Sequence, residues 1–182
     1  GSVTLVFDSS KRIPAEKIYS EELKKLRKQN EKIAEISRLV IAPQYRNAKK
    51  ILVLLFNYLY IYAYYVKQYT CLAIEVNPRH TAYYQALLHF REIGSERPCP
   101  HVQSAPAKLL YLELKHGQNE VMEFSKKSEI DMRSRSLYQY FINPEQETLV
   151  AYYLNKQAKP MSSFEKQYFG FTESGISKAV CV

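Results

Sequence analysis

Residues 34–41 read AEISRLVI and residues 71–76 read CLAIEV. Each is a short apolar run rich in β-branched residues. Pro43 closes the first and Pro78 the second. Runs of this length, bounded by breakers, read as strands. The stretch between them is long enough for a helix. Asn47 is a plausible cap for it, and the pattern predicts a helix from Ala48 to about Tyr69. The tyrosines at 58, 60, 62 and 64 also alternate like a strand, and length decides for helix. Ile51–Val66 is too short for a comfortable bilayer span and carries Asn57 and five tyrosines, so a buried or half-buried helix is expected and no membrane span.

Working outward from this unit, Val3–Phe7 reads as a strand and Asp8-Ser9-Ser10 as a turn. Pro14 can open a helix that runs to about Lys28, because the N–H it lacks would be unsatisfied there anyway. On the other side, Asn77-Pro78 is read as a break, followed by a helix over Thr81–His89. Arg91–Glu96 and Leu109–Leu114 read as a strand pair, joined by a loop holding Pro98, Pro100 and Pro106. Beyond Lys115 the pattern turns helical. Asn143-Pro144-Glu145 supplies a cap and a proline at the first helical position, and Ser162 with Glu165 a capping box. The expected fold class is α/β (α+β): a mixed sheet flanked by helices. Residues 1–117 are expected to form the core and 118–182 a helical extension, with helix from about Ser128 to Phe171.

Composition excludes several chemistries. The chain of 182 residues is 46% hydrophobic, enough for one domain with a core. Its net charge of +8 suits an acidic partner: a carrier protein, a phosphate, nucleic acid or anionic lipid. Charge alone does not choose among them, and no nucleic-acid-binding motif is present. Cys71, Cys99 and Cys181 are odd in number and far apart, which predicts a reducing, cytoplasmic setting. Glycines at 1, 94, 117, 170 and 175 write neither a Walker loop nor a dinucleotide fingerprint. Histidines 80, 89, 101 and 116 show no cysteine or acidic partner at ligand spacing, so no metal is expected. With aspartate only at 8 and 131 and no nucleophile elbow, a Ser-His-Asp hydrolase is not expected.

Three segments carry a family likeness. Glu35-Ile36-Ser37-Arg38, continuing to Arg46, resembles the strand on which acyl-homoserine-lactone (autoinducer) synthases and N-acyl amino acid synthases carry a Glu-x-x-Arg pair. Ile74-Glu75-Val76-Asn77-Pro78-Arg79-His80, with Tyr83-Tyr84 and His89-Phe90, resembles the late strand–helix unit of the GNAT acyltransferase fold. Leu137-Tyr138-Gln139-Tyr140-Phe141 with Pro160-Met161-Ser162 is similar to the C-terminal part of FeeM-type N-acyl amino acid synthases. The likeness runs from Gly1 to about Phe171. It implies that roughly the first third of the family's domain precedes the point where this chain begins, or is supplied by a partner chain. The family's Gly-Phe after the tyrosine helix is His89-Phe90 here, at a position that glycine would serve in the left-handed region.

The resemblance implies an N-acyltransferase. A long-chain acyl group would pass from acyl carrier protein, or CoA, to the amine of an amino acid, with no permanently bound cofactor. Glu35 would act as acid/base or position substrate, or else form a structural ion pair with Arg38; on a regular strand that pair needs a bulge. Arg38 would hold the acceptor's carboxylate, or simply stabilise the fold. Tyr84 matches the proton donor to the leaving thiolate, or is packing. Arg46, Asn47, Lys49 and Lys50, with Asn77, would face the pantetheine phosphate; the same basic turn would otherwise be a solvated face. That turn is glycine-rich in CoA-using relatives and is not here, which favours carrier protein. Ser37, Arg79 and His80 would touch substrate. The alternative is a non-catalytic module that binds a carrier protein, lipid or partner chain.

Overall fold

The computed structural model describes residues 1–45, 49–100, 103–127, 129–160, 162–164, 171–172 and 175–176. Five strands form one mixed sheet in the order β1-β2-β3-β5-β4. They are β1 (Ser2–Phe7), β2 (Ile33–Val40), β3 (Cys71–Val76), β4 (Arg91–Cys99) and β5 (Ala105–Glu113). Only β2 and β3 run parallel; β1–β2, β3–β5 and β4–β5 are antiparallel. The helices are α1 (Glu16–Lys28), α2 (Lys49–Ile61), α3 (Pro78–Leu88), α4 (Leu114–Ser125) and α5 (Pro144–Gln157). A separate two-stranded pair, β6 (Phe171–Thr172) and β7 (Gly175–Ile176), lies near the C-terminus.

Alternation along the strands divides the apolar side chains between two cores. Ile33, Cys71, Ala73 and Leu109 face α1 and bury Tyr19, Leu23 and Leu26. Ala34, Ile36, Leu72, Ile74, Val76, Leu110 and Leu112 face the other way, against Phe56 and Tyr60 of α2 and Tyr84, Leu87 and Leu88 of α3. The second core continues without a break into Leu114 and Val121 of α4 and Leu137 and Tyr138 beyond it. Each fully buried aliphatic or aromatic side chain contributes roughly 1.5–3 kcal/mol, so both faces anchor the sheet.

On the α1 face the fit is tight. Tyr19 has no exposed surface, and its hydroxyl donates toward the carbonyls of Ala107 (2.6 Å) and Ser95 (3.1 Å). A Cβ on Gly94 would stand 2.6 Å from the Tyr19 ring and 2.8 Å from Leu109 Cβ, so only glycine lets β4 pass.

Several sequence expectations shift. The helix after Asn47 does not run to Tyr69. It is α-helical to Ile61 and then widens into a π turn over Tyr62–Val66, where Tyr64 and Tyr65 turn toward Gln118 and Glu147. No helix is long and apolar enough to cross a membrane among the described residues. Asn77-Pro78 caps a helix rather than preceding one by several residues. The Asn77 side chain accepts from Arg79 N, and Pro78 sits where no N–H is needed. Pro98 and Pro106 lie in strands opposite each other, not in a loop. β4 is the sheet edge, where a missing ladder donor is tolerated. Asn143 does cap α5, accepting from Glu145 N. Glu165 of the expected capping box lies outside the described residues.

Candidate active site where two parallel strands part

The β2–β3 ladder pairs Ile33 with Cys71, Ala34 with Leu72, Glu35 with Ala73 and Ile36 with Ile74. β2 continues to Val40 and β3 to Val76, so the last registered pair leaves Ser37–Val40 and Glu75–Val76 diverging. The cause is on the outer side of β2. Thr4 pairs with Ser37 and Ser2 with Val40, setting two steps on β1 against three on β2. Arg38 lies in that bulge with φ 51, a left-handed conformation uncommon for a side chain of this size. The bulge lies just beyond Ile36–Ile74, the last registered β2–β3 pair, so the two parallel strands are unpaired with each other toward their carboxyl ends. Such a crevice is where open α/β sheets bind ligands.

Glu35 sits one pair inside the opening, on the α1 face, and is only 3% exposed. Its Oε2 accepts from Ala15 N at 2.8 Å. Burial pushes its pKa from 4.5 up to about 8; the Ala15 N–H pulls it down, and the charge of Glu75 adds a smaller upward push. Glu75 lies on the same face two residues beyond Ala73, at the mouth. Sequence reasoning missed it as a functional residue, although the period-two spacing from Ala73, the partner of Glu35, was readable. Tyr19, Arg97 and Glu22 extend this polar cluster. Arg97 stacks 4.8 Å over the Tyr19 ring, donates to Ile18 O at 2.7 Å and pairs with Glu22.

Ser37 and Arg38 stand on the β2 lip and are half-buried. Partial burial lowers the Arg38 pKa. Asn77, Arg79 and His80 stand on the opposite lip at the start of α3, where Arg79 Nε lies 3.1 Å from His80 Nε2. Tyr84 lies on the other face of the sheet from Glu35. It is 8% exposed and packed edge-on against Phe56 and Phe90, and burial pushes its pKa up to about 12. Glu35 and Tyr84 therefore lie on opposite faces of the sheet. Lys49 and Lys50 begin α2, and the Lys49 ammonium lies 3.9 Å over the Tyr140 ring. Arg46 and Asn47 lie outside the described residues.

The left-handed position read at His89 is real: φ is 59 and ψ 29 at the end of α3. The expectation that no histidine has an acidic partner at ligand spacing fails. His116 and Glu120 are four apart on α4, and His89 folds against both. The i, i+4 spacing on a helix was the available signal.

No curated protein sequence matches the chain at a significant level. The structure of FeeM, an N-acyl amino acid synthase from uncultured soil microbes, is similar, with a TM-score of 0.56 and 26% sequence identity. The match covers 62% of this chain and 64% of that one, so this chain spans slightly less than two thirds of that relative's length. A family model described as "N-acyl amino acid synthase FeeM" matches residues 1–113, from β1 to the last residue of β5. That match takes in both strands of the opening and covers well over half of the sequence, so the chain belongs to the FeeM family of N-acyl amino acid synthases.

Proposed function

We propose that the chain transfers a long-chain fatty acyl group from the phosphopantetheine arm of an acyl carrier protein to the α-amine of an amino acid. The observation that carries the reading is the parting of β2 from β3 beyond Ile36 and Ile74, with a buried carboxyl one pair inside it. A thioester arm laid in that opening takes the place of the missing strand pairs and meets the amine beside Glu35. The lack of glycine between Pro43 and Lys50 supports a carrier-protein donor over CoA. The net charge of +8 supports an acidic carrier.

The amine nitrogen attacks the thioester carbonyl; a C–N bond forms and the C–S bond breaks. The ammonium's proton passes to Glu35 directly or through water. A carboxyl with a pKa of about 8 is well matched to that transfer near neutral pH. The departing thiolate takes a proton from Tyr84, whose hydroxyl is otherwise held neutral by burial, and the second proton that the nitrogen sheds on becoming an amide restores that hydroxyl. Arg38 grips the acceptor's carboxylate through its planar fork. Ser37, Asn77, Arg79 and His80 line the two lips and orient the arm, and Lys49 and Lys50, with Arg46 and Asn47, attract its phosphate. Orientation supplies most of the acceleration and proton transfer a smaller share. No metal or redox group enters this scheme, which runs in the cytoplasm where acyl carriers are charged.

Acyl carrier thioesters of several chain lengths, incubated with mixed amino acids, test the reading by mass spectrometry. It expects an N-acyl amino acid and free carrier thiol in equal amounts. A folded protein that binds the carrier but forms no product would instead make the chain a binding module.

A further inference from the structure

We propose that His89, His116 and Glu120 form a binding site for a single zinc-class divalent ion, which clasps the end of α3 to the start of α4. His89 Nδ1 and His116 Nε2 lie 3.3 Å apart. Glu120 places one oxygen 3.5 Å from His89 Nδ1 and the other 3.9 Å from His116 Nε2. The three groups offer donor atoms that all lie within 4.8 Å of one another. Zinc bonds imidazole nitrogen at about 2.0–2.1 Å, which makes the edge of its tetrahedron about 3.3 Å. The nitrogen pair already stands at that edge length. The carboxylate distances are long for charge-assisted hydrogen bonds, which favour about 2.7–2.9 Å.

Two different elements hold these ligands in place. His89 ends α3 in the left-handed region, and its ring lies edge-on to Tyr138 with centroids 5.4 Å apart. Tyr138 is anchored in turn, donating to Leu88 O at 2.8 Å. His116 and Glu120 share one face of α4. Gly117 lies between them, and a Cβ there would come within 3.4 Å of the Tyr138 hydroxyl. Side-chain exposures of 32%, 35% and 26% leave the cluster reachable, so an ion can enter and water can complete its shell. Two imidazoles and one carboxylate suit zinc and its transition-metal neighbours; calcium and magnesium prefer all-oxygen sites. The clasp lies five residues beyond Tyr84 along the chain, joining the α3 unit to the helical part that follows the sheet.

The test uses the untagged chain, stripped with a chelator and titrated with zinc by calorimetry and with cobalt by visible absorption. The inference expects one ion per chain and a cobalt d–d spectrum of low coordination number. With zinc about 100-fold above its dissociation constant, the melting temperature should rise by about 5–10 °C. His116→Ala and Glu120→Gln change half-exposed positions on α4 and should leave the fold intact by circular dichroism. Each should weaken zinc binding at least ~10–100-fold and cut the thermal shift at the same zinc concentration to about half or less, while His80→Ala changes neither. Absence of saturable binding overturns the site, as does one-to-one binding that survives both α4 variants.

Discussion

Replacing Glu35 with Gln should make the protein more stable and less active at once. In the native chain this carboxyl keeps its proton until about pH 8, whereas an ordinary glutamate loses it near 4.5. Between those values the native state binds more protons than the unfolded state, so stability falls as pH rises and levels off outside the window. The slope is about 1.4 kcal/mol per pH unit, and the whole window amounts to about 5 kcal/mol. Gln has the shape of the protonated acid and can still accept from Ala15 N, but it does not titrate. Urea unfolding of both proteins at pH ~5, ~7 and ~9 should show a gap in favour of Glu35→Gln that grows from under ~1 to about 3 and then about 5 kcal/mol. The growth of the gap carries the test, because any change in the Ala15 hydrogen bond shifts all three points equally. Turnover by the variant should fall at least ~10-fold, with loss of the native rise in rate through about pH 8. A gap that stays the same from acid to alkaline pH would refute a displaced carboxyl at this position. Unchanged turnover would remove Glu35 from the chemistry.

Other substitutions probe separate parts of the account. Tyr84→Phe keeps the packing against Phe56 and Phe90 and should lower turnover by less than Glu35→Gln, roughly 3–10-fold, since a thiolate leaves readily; single-turnover rates check it. Arg38→Lys should raise KM for the amino acid ~10-fold or more with kcat little changed, because a two-pronged grip becomes a point charge. Gly94→Ala forces a methyl into the Tyr19 ring and Leu109, which should cost about 1–3 kcal/mol in urea unfolding. Tyr65→Phe removes a 2.5 Å hydrogen bond from Glu147, a carboxyl only 1% exposed. It should cost about 1–3 kcal/mol, which a thermal melt reads as a loss of several degrees.

The sheet was legible because AEISRLVI and CLAIEV each carry a local signal and a breaker, and strands of that kind are set by burial on both faces. Asn143 was legible for the same reason: a cap and a proline act on their own backbone. The π turn over Tyr62–Val66 was not, because it depends on where Glu147 and Gln118 arrive from far along the chain. Pro98 and Pro106 looked like loop residues because what excuses them is a property of the whole sheet: Pro98 lies on the edge strand β4, and Pro106 lies on β5 beyond its last pair with β3, Val76–Lys108. Within the site, a bulge at Glu35–Arg38 could be named as a requirement, but its direction came from the register against β1. Glu75 and the His89–His116–Glu120 cluster were hidden differently: each depends on a partner brought from another element. The single spacing visible in sequence, four residues from His116 to Glu120, is common on solvated helices and selects nothing alone.

The claim on which the rest depends is that the acyl arm lies between Ser37–Val40 and Glu75–Asn77. Amide hydrogen exchange, with and without a carrier protein bearing a non-hydrolysable acyl-pantetheine, reads this directly. The account predicts slowed exchange in those two segments, with the registered pairs Ile33–Ile36 and Cys71–Ile74 unchanged because their ladder is already closed. Protection confined to the helices, with both lips exchanging as before, would contradict it.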